Sequence, residues 1–211
     1  GQMVIQWAEK AMNETMNKVM KTNGRDYVIA IDTDSLYINF GPLIEQLNPK
    51  NPVSFLDKIC QEHFEPVLKK AYDDLFNKMN GHKPRMEMSR EVIADRGIWT
   101  AKKRYILNVH NSEGVQYDEP KLKIMGIEAI KSSTPEVVRA KFKEAFRIII
   151  SETATDTQNF IQAFKRDFKS LPPEAVAFPR GVSNITDWKD RKTIYKKGSP
   201  IHVRGSLLYN K

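Results

Sequence analysis

The sequence holds one cysteine, Cys60, among 211 residues. A single thiol excludes an intrachain disulfide framework and fits a reducing, intracellular setting. Its neighbours Phe55, Leu56, Ile59 and Phe64 mark it as a buried core thiol and not a nucleophile. No apolar run approaches the roughly 20 residues that a membrane-crossing helix needs. No signal peptide is recognisable either, because Gly1 leads straight into an amphipathic pattern. No internal repeat is visible, so solenoid and array folds drop out.

What remains is an ordinary globular composition, 40% hydrophobic and 28% charged, with a net charge of +8. The charge is unevenly placed. Residues 1–120 carry 16 Lys/Arg against 17 Asp/Glu, and residues 121–211 carry 18 against 9. A near-neutral part joined to a basic part suits a polyanion held by one and processed by the other. A basic surface that only aids solubility has the same composition.

The stretch with the most chemistry is Tyr27–Phe40. Two apolar runs, Val28 to Ile31 and Leu36 to Ile38, flank the polar Asp32-Thr33-Asp34-Ser35, which predicts a β-hairpin with buried flanks and an acidic tip. Two carboxylates on a fixed turn suit a hard divalent cation, Mg²⁺ above all. The same tip could instead cap only backbone N–H groups.

Around it the pattern alternates helix and strand. Residues 2–20 predict an amphipathic helix ended by Asn23-Gly24, and Gly41-Pro42 is expected to close the hairpin's second strand. Asn48 to Pro52 reads as a loop, and a long helical pattern follows it through about Met79, interrupted by Pro66, where a kink or two helices are expected. Residues 85–94 and 98–109 predict two strands joined by a turn at Asp95-Arg96-Gly97, and Ser112-Glu113-Gly114 predicts another turn. A boundary is expected near Glu119-Pro120. Beyond it, Thr134-Pro135-Glu136 predicts a Thr-capped helix, and a second helix from about Thr155 to Lys169 should bury Phe160, Ile161, Phe164 and Phe168. Residues 172–200 look irregular. The fold class expected is α+β: an antiparallel sheet with packed helices, then a mainly helical part.

Two further motifs bear on polyanions. Lys102, Lys103, Arg104 and Tyr105, placed together on one predicted strand, suit a phosphate backbone, although a charged edge strand that blocks aggregation has the same look. Lys131, Ser132, Ser133 and Thr134 precede a helix N-terminus, where orphan N–H groups, hydroxyls and a cation could hold a phosphate.

Taken in order, these motifs resemble family B DNA polymerases of T-even-type phages. The hairpin resembles their Asp-Thr-Asp-Ser signature, and Lys102–Tyr105 resembles their Lys-Lys-x-Tyr strand. Lys121–Pro135 resembles the passage from palm to thumb, and Pro200–Asn210 a thumb segment. The resemblance implies residues 1–119 as the C-terminal part of a palm and 120–211 as the first part of a thumb. It implies two Mg²⁺ ions held chiefly by Asp34, with Asp32 weaker and Glu91 auxiliary. It also implies primer–template DNA contacts through Lys102, Lys103, Arg104, Tyr105, Lys131, Ser132, Ser133, Thr134, Arg204 and His202. A dNTP substrate and the cytoplasm of an infected bacterial host go with it. The first signature motif, the helix gripping the incoming nucleotide and any 3′–5′ exonuclease signature have no counterpart here. The chain is thus expected to be an expressed piece or one product of a split gene, inactive alone and completed by further polypeptide. The alternatives are a non-catalytic nucleic-acid-binding module or another Mg²⁺-dependent nucleotidyl transferase.

Overall fold

A computed structural model describes Gly1–Asn210 and divides into two compact units, Gly1–Gly126 and the residues from Ile127 onward. The class is α+β, as expected.

In the first unit, helix α1 (Gln2–Met20) buries Ile5, Ala8, Met12 and Met16 along one stripe. It ends at Lys21, whose left-handed backbone (φ 53) closes the helix before Asn23-Gly24 is reached. Strands β1 (Val28–Asp32) and β2 (Ser35–Ile38) then form the predicted hairpin, with Asp32 opposite Ser35. Gly41-Pro42 does not simply close β2. Proline, with no N–H to satisfy, opens the short helix α2 (Gly41–Leu47).

The Pro66 interruption takes a defined form. Helix α3 (Pro52–Ile59) passes through one π turn (Cys60–Phe64) into α4 (Glu65–Lys78). The Glu65 N–H reaches back to the Cys60 carbonyl, so the widened turn sits immediately before the residue that has no N–H to donate. Cys60 is buried there, and burial pushes its thiol pKa up to about 11, which keeps it protonated and inert near neutral pH. The core of the unit gathers Met12 and Met16 of α1, Tyr27, Val28, Leu43, Phe64, Leu68 and Tyr72.

The second sheet departs from the sequence-based expectation. Residues 85–91 are not strand, and β3 (Val92–Ala101) runs unbroken through Asp95-Arg96-Gly97. Register shifts around Ala94 absorb the polar insertion. Gly97 is there for space: a Cβ would lie 2.7 Å from Leu107 and 2.8 Å from the Trp99 ring. The turn falls at Lys102-Lys103, between β3 and β4 (Arg104–Ser112). Glu113-Gly114, both with positive φ, make the predicted second turn into β5 (Val115–Met125). The sheet order is β3-β4-β5, antiparallel. Glu119-Pro120, the expected boundary, lies inside β5, and the units divide at Gly126.

The second unit holds α5 (Glu136–Ser151) and α6 (Ala154–Phe168), joined by Glu152-Thr153. Thr153, not a residue near Thr155, caps α6 in a reciprocal box with Asp156. The aromatic stripe is less covered than expected: α6 has no fully buried residue, and Ile161 and Phe168 are exposed. The region read as irregular contains a short helix α7 (Pro173–Val176) and a small hairpin of β6 (Lys189–Asp190) and β7 (Ile194–Tyr195), followed by α8 (Ile201–Tyr209).

Candidate metal and nucleic-acid site

The acidic hairpin is positioned by groups the motif does not contain. Asn13 of α1 accepts hydrogen bonds through Oδ1 from the backbone N–H groups of Tyr27 (2.7 Å) and Val28 (3.1 Å), and its Nδ2 donates to Asp26 (2.8 Å). Tyr27, fully buried, fixes the start of β1 from below, its hydroxyl 2.9 Å from that of Thr22. On β2, the Tyr37 ring meets Trp99 at 5.3 Å and Tyr105 at 5.4 Å, both edge-on. Burial, then the Tyr105 contact, raises the Tyr37 pKa, so the phenol stays neutral.

Period-2 geometry puts Val28, Ala30 and Asp32 on the covered face of β1. The other face is bare, contrary to the expected burial of both flanks: Ile29 is 53% exposed and Ile31 39%. A bulge at Ile29 turns it out of register.

At the tip the two carboxylates differ. Asp32 Oδ1 accepts the Thr33 N–H at 2.7 Å and the Thr33 hydroxyl at 3.2 Å, and Lys103 Nζ stands 3.4 Å away. The Thr33 N–H and then Lys103 hold its pKa below the ordinary carboxylate value. Asp34 is exposed and makes no hydrogen bond or ion pair among the described residues. One carboxylate is thus anchored and the other presented.

Lys103 comes from the β3–β4 turn, in the left-handed region at φ 61. An L residue pays about 1 kcal/mol for that backbone, which glycine would adopt freely. The turn is pressed from beneath by Gly126 (φ +66), where a Cβ would lie 2.2 Å from the Lys103 carbonyl oxygen. Two motifs far apart in sequence therefore meet at one point, Lys103 on Asp32. Lys102 is exposed on the same turn, and Arg104 is exposed at the start of β4. The three cations do not line one strand as expected, because two of them form its turn. Tyr105 is only 8% exposed and packs against Tyr37 and Trp99, so it props the hairpin and does not present a free ring.

Lys103→Gly separates the two roles of that residue. The fold should gain up to ~1 kcal/mol from the relaxed turn, since a half-exposed ion pair returns little. The logarithmic salt dependence of duplex binding should fall by about 1. Thermal melts and salt titrations check both. A loss of stability above ~1 kcal/mol would mean that the contact with Asp32 is structural.

Glu91 lies just before β3 and pairs with Lys123 of β5. Its charge reaches the Tyr37 phenol on β2. No group of three or more potential metal-ligating side chains exists among the described residues. The oxygen donors of Asp32 and Asp34 fit a hard cation, and further donors would have to come from elsewhere.

In the second unit, Thr134 is not the helix cap. It is buried, donates its hydroxyl to the Glu128 carbonyl (2.8 Å), and leaves Pro135 at the N-cap without a side-chain bond. Lys131 pairs with Glu128 at 3.0 Å, while Ser132 and Ser133 are exposed. Arg204 donates from Nε to the Ser199 carbonyl (2.7 Å) and lies over the Tyr195 ring, and His202 is exposed at the start of α8.

Sequence reasoning missed Arg90. Only 9% of its side chain is exposed, and it pairs with Asp57 of α3 and donates to Asn111 of β4 at 2.7 Å. Its backbone N–H donates to Glu65 at 2.8 Å. This buried cluster fixes the irregular segment that carries Glu91, and only the adjacency of Arg90 to Glu91 could have hinted at it.

Comparison with known proteins shows a likeness: along its whole length the chain is similar to a segment of two phage DNA polymerases. It is 36% identical over 225 aligned positions to the DNA-directed DNA polymerase of Escherichia phage RB69, and 34% identical over 225 to that of Enterobacteria phage T4. Each alignment covers 100% of this chain and 25% of the relative, so the chain spans a quarter of the length of the curated proteins it matches. No family model matches it.

Proposed function

We propose that this chain supplies part of the catalytic palm and part of the thumb of a template-directed phage DNA polymerase. The observation that carries it is the hairpin tip: Asp34 exposed and unpaired among the described residues, Asp32 tied down beside it by Thr33 and Lys103. Similarity to DNA-directed DNA polymerases supports the same function. Asp34 would be the main ligand of Mg²⁺ and Asp32 the weaker one, with Glu91 an auxiliary acid nearby. When bound, a pair of such ions activates a primer 3′-hydroxyl and stabilises the leaving pyrophosphate of a dNTP. In this chain, Thr33 and Lys103 hold Asp32 ionised and oriented, and the packed Tyr37–Tyr105 pair keeps the hairpin rigid.

Lys102, Lys103 and Arg104 would lie along the primer–template backbone, with Tyr105 supporting them from the core. Lys131, Ser132 and Ser133 would meet a phosphate at the turn that Thr134 braces, and Arg204 with His202 would meet another. The bare Ile29 and Ile31 face supports completion of the site by further polypeptide. The chain alone would be inactive in primer extension, because its carboxylates supply only one of the two places that must clamp the ions. The setting would be the cytoplasm of the infected host. No helix among the described residues is long and apolar enough to cross a membrane.

The test is a titration of the purified chain with primer–template duplex at several salt concentrations. Binding should weaken steeply with salt, with a logarithmic slope of about −3 or steeper. A flat slope, or primer extension by the chain alone, counts against this function.

A further inference from the structure

We propose that a groove on the first unit, between the first turn of α1 and the C-terminal end of α4, docks an acidic peptide segment of a partner protein through one bulky apolar side chain. None of its lining residues belongs to the acidic hairpin or to the β3–β4 turn, so the inference goes beyond the function proposed above and does not rest on it. The groove holds about 210 Å³ and is walled by Met3, Phe76, Met79, Pro84 and Met86. That is less than the roughly 300–1,000 Å³ of a cofactor or small-molecule site, and it suits a single large side chain. Three flexible thioethers in so small a space can adapt to the shape of the side chain that enters. Met3, Met79 and Met86 are all exposed, so the described residues leave this apolar surface open.

The rim sets the charge of the occupant. From Leu75 to Met86 the sequence carries Lys78, His82, Lys83 and Arg85 and no acid. Lys83 and Arg85 line the groove, are exposed, and make no hydrogen bond or ion pair among the described residues. Against these two cations the lining holds one acid, Asp73. A phosphate backbone would engage the cations and leave the methionines idle. An acidic segment with an apolar anchor engages both.

The wall is formed before any partner arrives. Asn80 adopts the left-handed region (φ 49). The Gly81 N–H donates to the Phe76 carbonyl at 3.0 Å and the Asn80 N–H to the Asn77 carbonyl at 3.2 Å, which closes α4 in a Schellman cap. A Cβ on Gly81 would lie 2.2 Å from the Phe76 ring, so the chain leaves the helix pressed against a side chain of the groove. Further on, the Tyr72 hydroxyl donates to the Met88 sulfur at 3.8 Å. Lys78 lies over the Trp7 ring, 4.5 Å from its centroid, and joins the end of α4 to α1. A cationic segment held at both ends loses little further freedom on binding.

The experiment titrates the full chain, its methionine methyl groups isotope-labelled, with three short fluorescent peptides. One is rich in Asp and Glu with a single central phenylalanine; the second has alanine at that position; the third has lysine in place of the acids. The first should bind at least about tenfold more tightly than the second, the worth of burying one large side chain. It should shift the methyl signals of Met3, Met79 and Met86 and leave those of the buried Met12 and Met16 in place. The third should not bind. Lys83→Glu with Arg85→Glu should weaken the first peptide at least about tenfold by reversing the rim. Met79→Glu should do the same by putting a charge in the groove. All three side chains are exposed, so the melts should match the native chain; where one does not, the methyl shifts of the native chain decide. Equal affinity for the first two peptides, or unmoved methyl signals, overturns the docking groove. So does a duplex that shifts the same three methyls, which makes the cations a polyanion site. So do shifts that follow chain concentration alone, which give the groove to a second copy. Loss of peptide binding in a polymerase completed by the polypeptide absent from this chain has the same force, because the enzyme then covers the groove itself.

Discussion

Asp34→Asn, in a polymerase completed by the polypeptide absent from this chain, should lower nucleotide incorporation by at least about 10³-fold, or some 4 kcal/mol in activation free energy. Asparagine keeps the shape of the side chain and removes the charge, and charge is what a hard cation demands of its ligand. The loss should be large because Asp34 has no other occupation: it is exposed at the tip and makes no bond within the described chain. Asp32→Asn should cost less, about 10–100-fold, because its carboxylate is shared between Thr33 and Lys103 and acts partly by orienting its neighbours. Duplex affinity should stay within about twofold of the native value in both variants, since no phosphate contact is removed. Single-turnover incorporation and duplex titration, measured on the same preparations, give the split. A non-catalytic nucleic-acid module would tolerate both changes. Equal activity of Asp34→Asn and the native protein would therefore return the hairpin to an ordinary structural turn.

The hairpin was legible in the sequence because its signal is local. Two β-branched runs around an acidic pair need nothing distant to become β1 and β2. Pro66 was equally legible as an interruption, but not as a π turn, because the missing N–H says that a bond must change without saying how. In sequence, the Lys102–Tyr105 run reads as one strand because composition marks Asp95-Arg96-Gly97 as the better turn. Tertiary packing decided otherwise: the Trp99 and Leu107 side chains need the space above Gly97, and Gly126 needs the turn at Lys103. What no local pattern could show was the meeting of Lys103 with Asp32, which exists only once both hairpins are folded. Thr134 is not the cap because the helix begins one residue later, with Pro135 at the N-cap, and the Thr134 hydroxyl instead donates to the Glu128 carbonyl. The cationic residues between Lys189 and Lys197 were visible as composition, and only the structure made them a hairpin.

The largest stability effect should come from Arg90→Ala. Arg90 joins three elements, pairing with Asp57 on α3, donating to Asn111 on β4, and sending its backbone N–H to Glu65 at the head of α4. Asn111 is fully buried and would be left without its donor. Removing one member of a buried ion pair strands the other in a poorly solvated place, at a cost of about 3–5 kcal/mol. Asp57 retains some contact with water, which places the expectation near the lower end, ~3 kcal/mol. For a chain of this size that is a fall of about 6–12 °C in melting temperature. Replacing both partners, Arg90→Met with Asp57→Leu, should recover much of the loss, because an apolar pair leaves no charge unpaired. The pair of variants also tests the link to chemistry. Arg90 fixes the segment that carries Glu91, so the double variant, though stable, should still incorporate nucleotide more slowly in the completed polymerase. Recovery of stability together with full activity would confine Arg90 to holding the helices against the sheet.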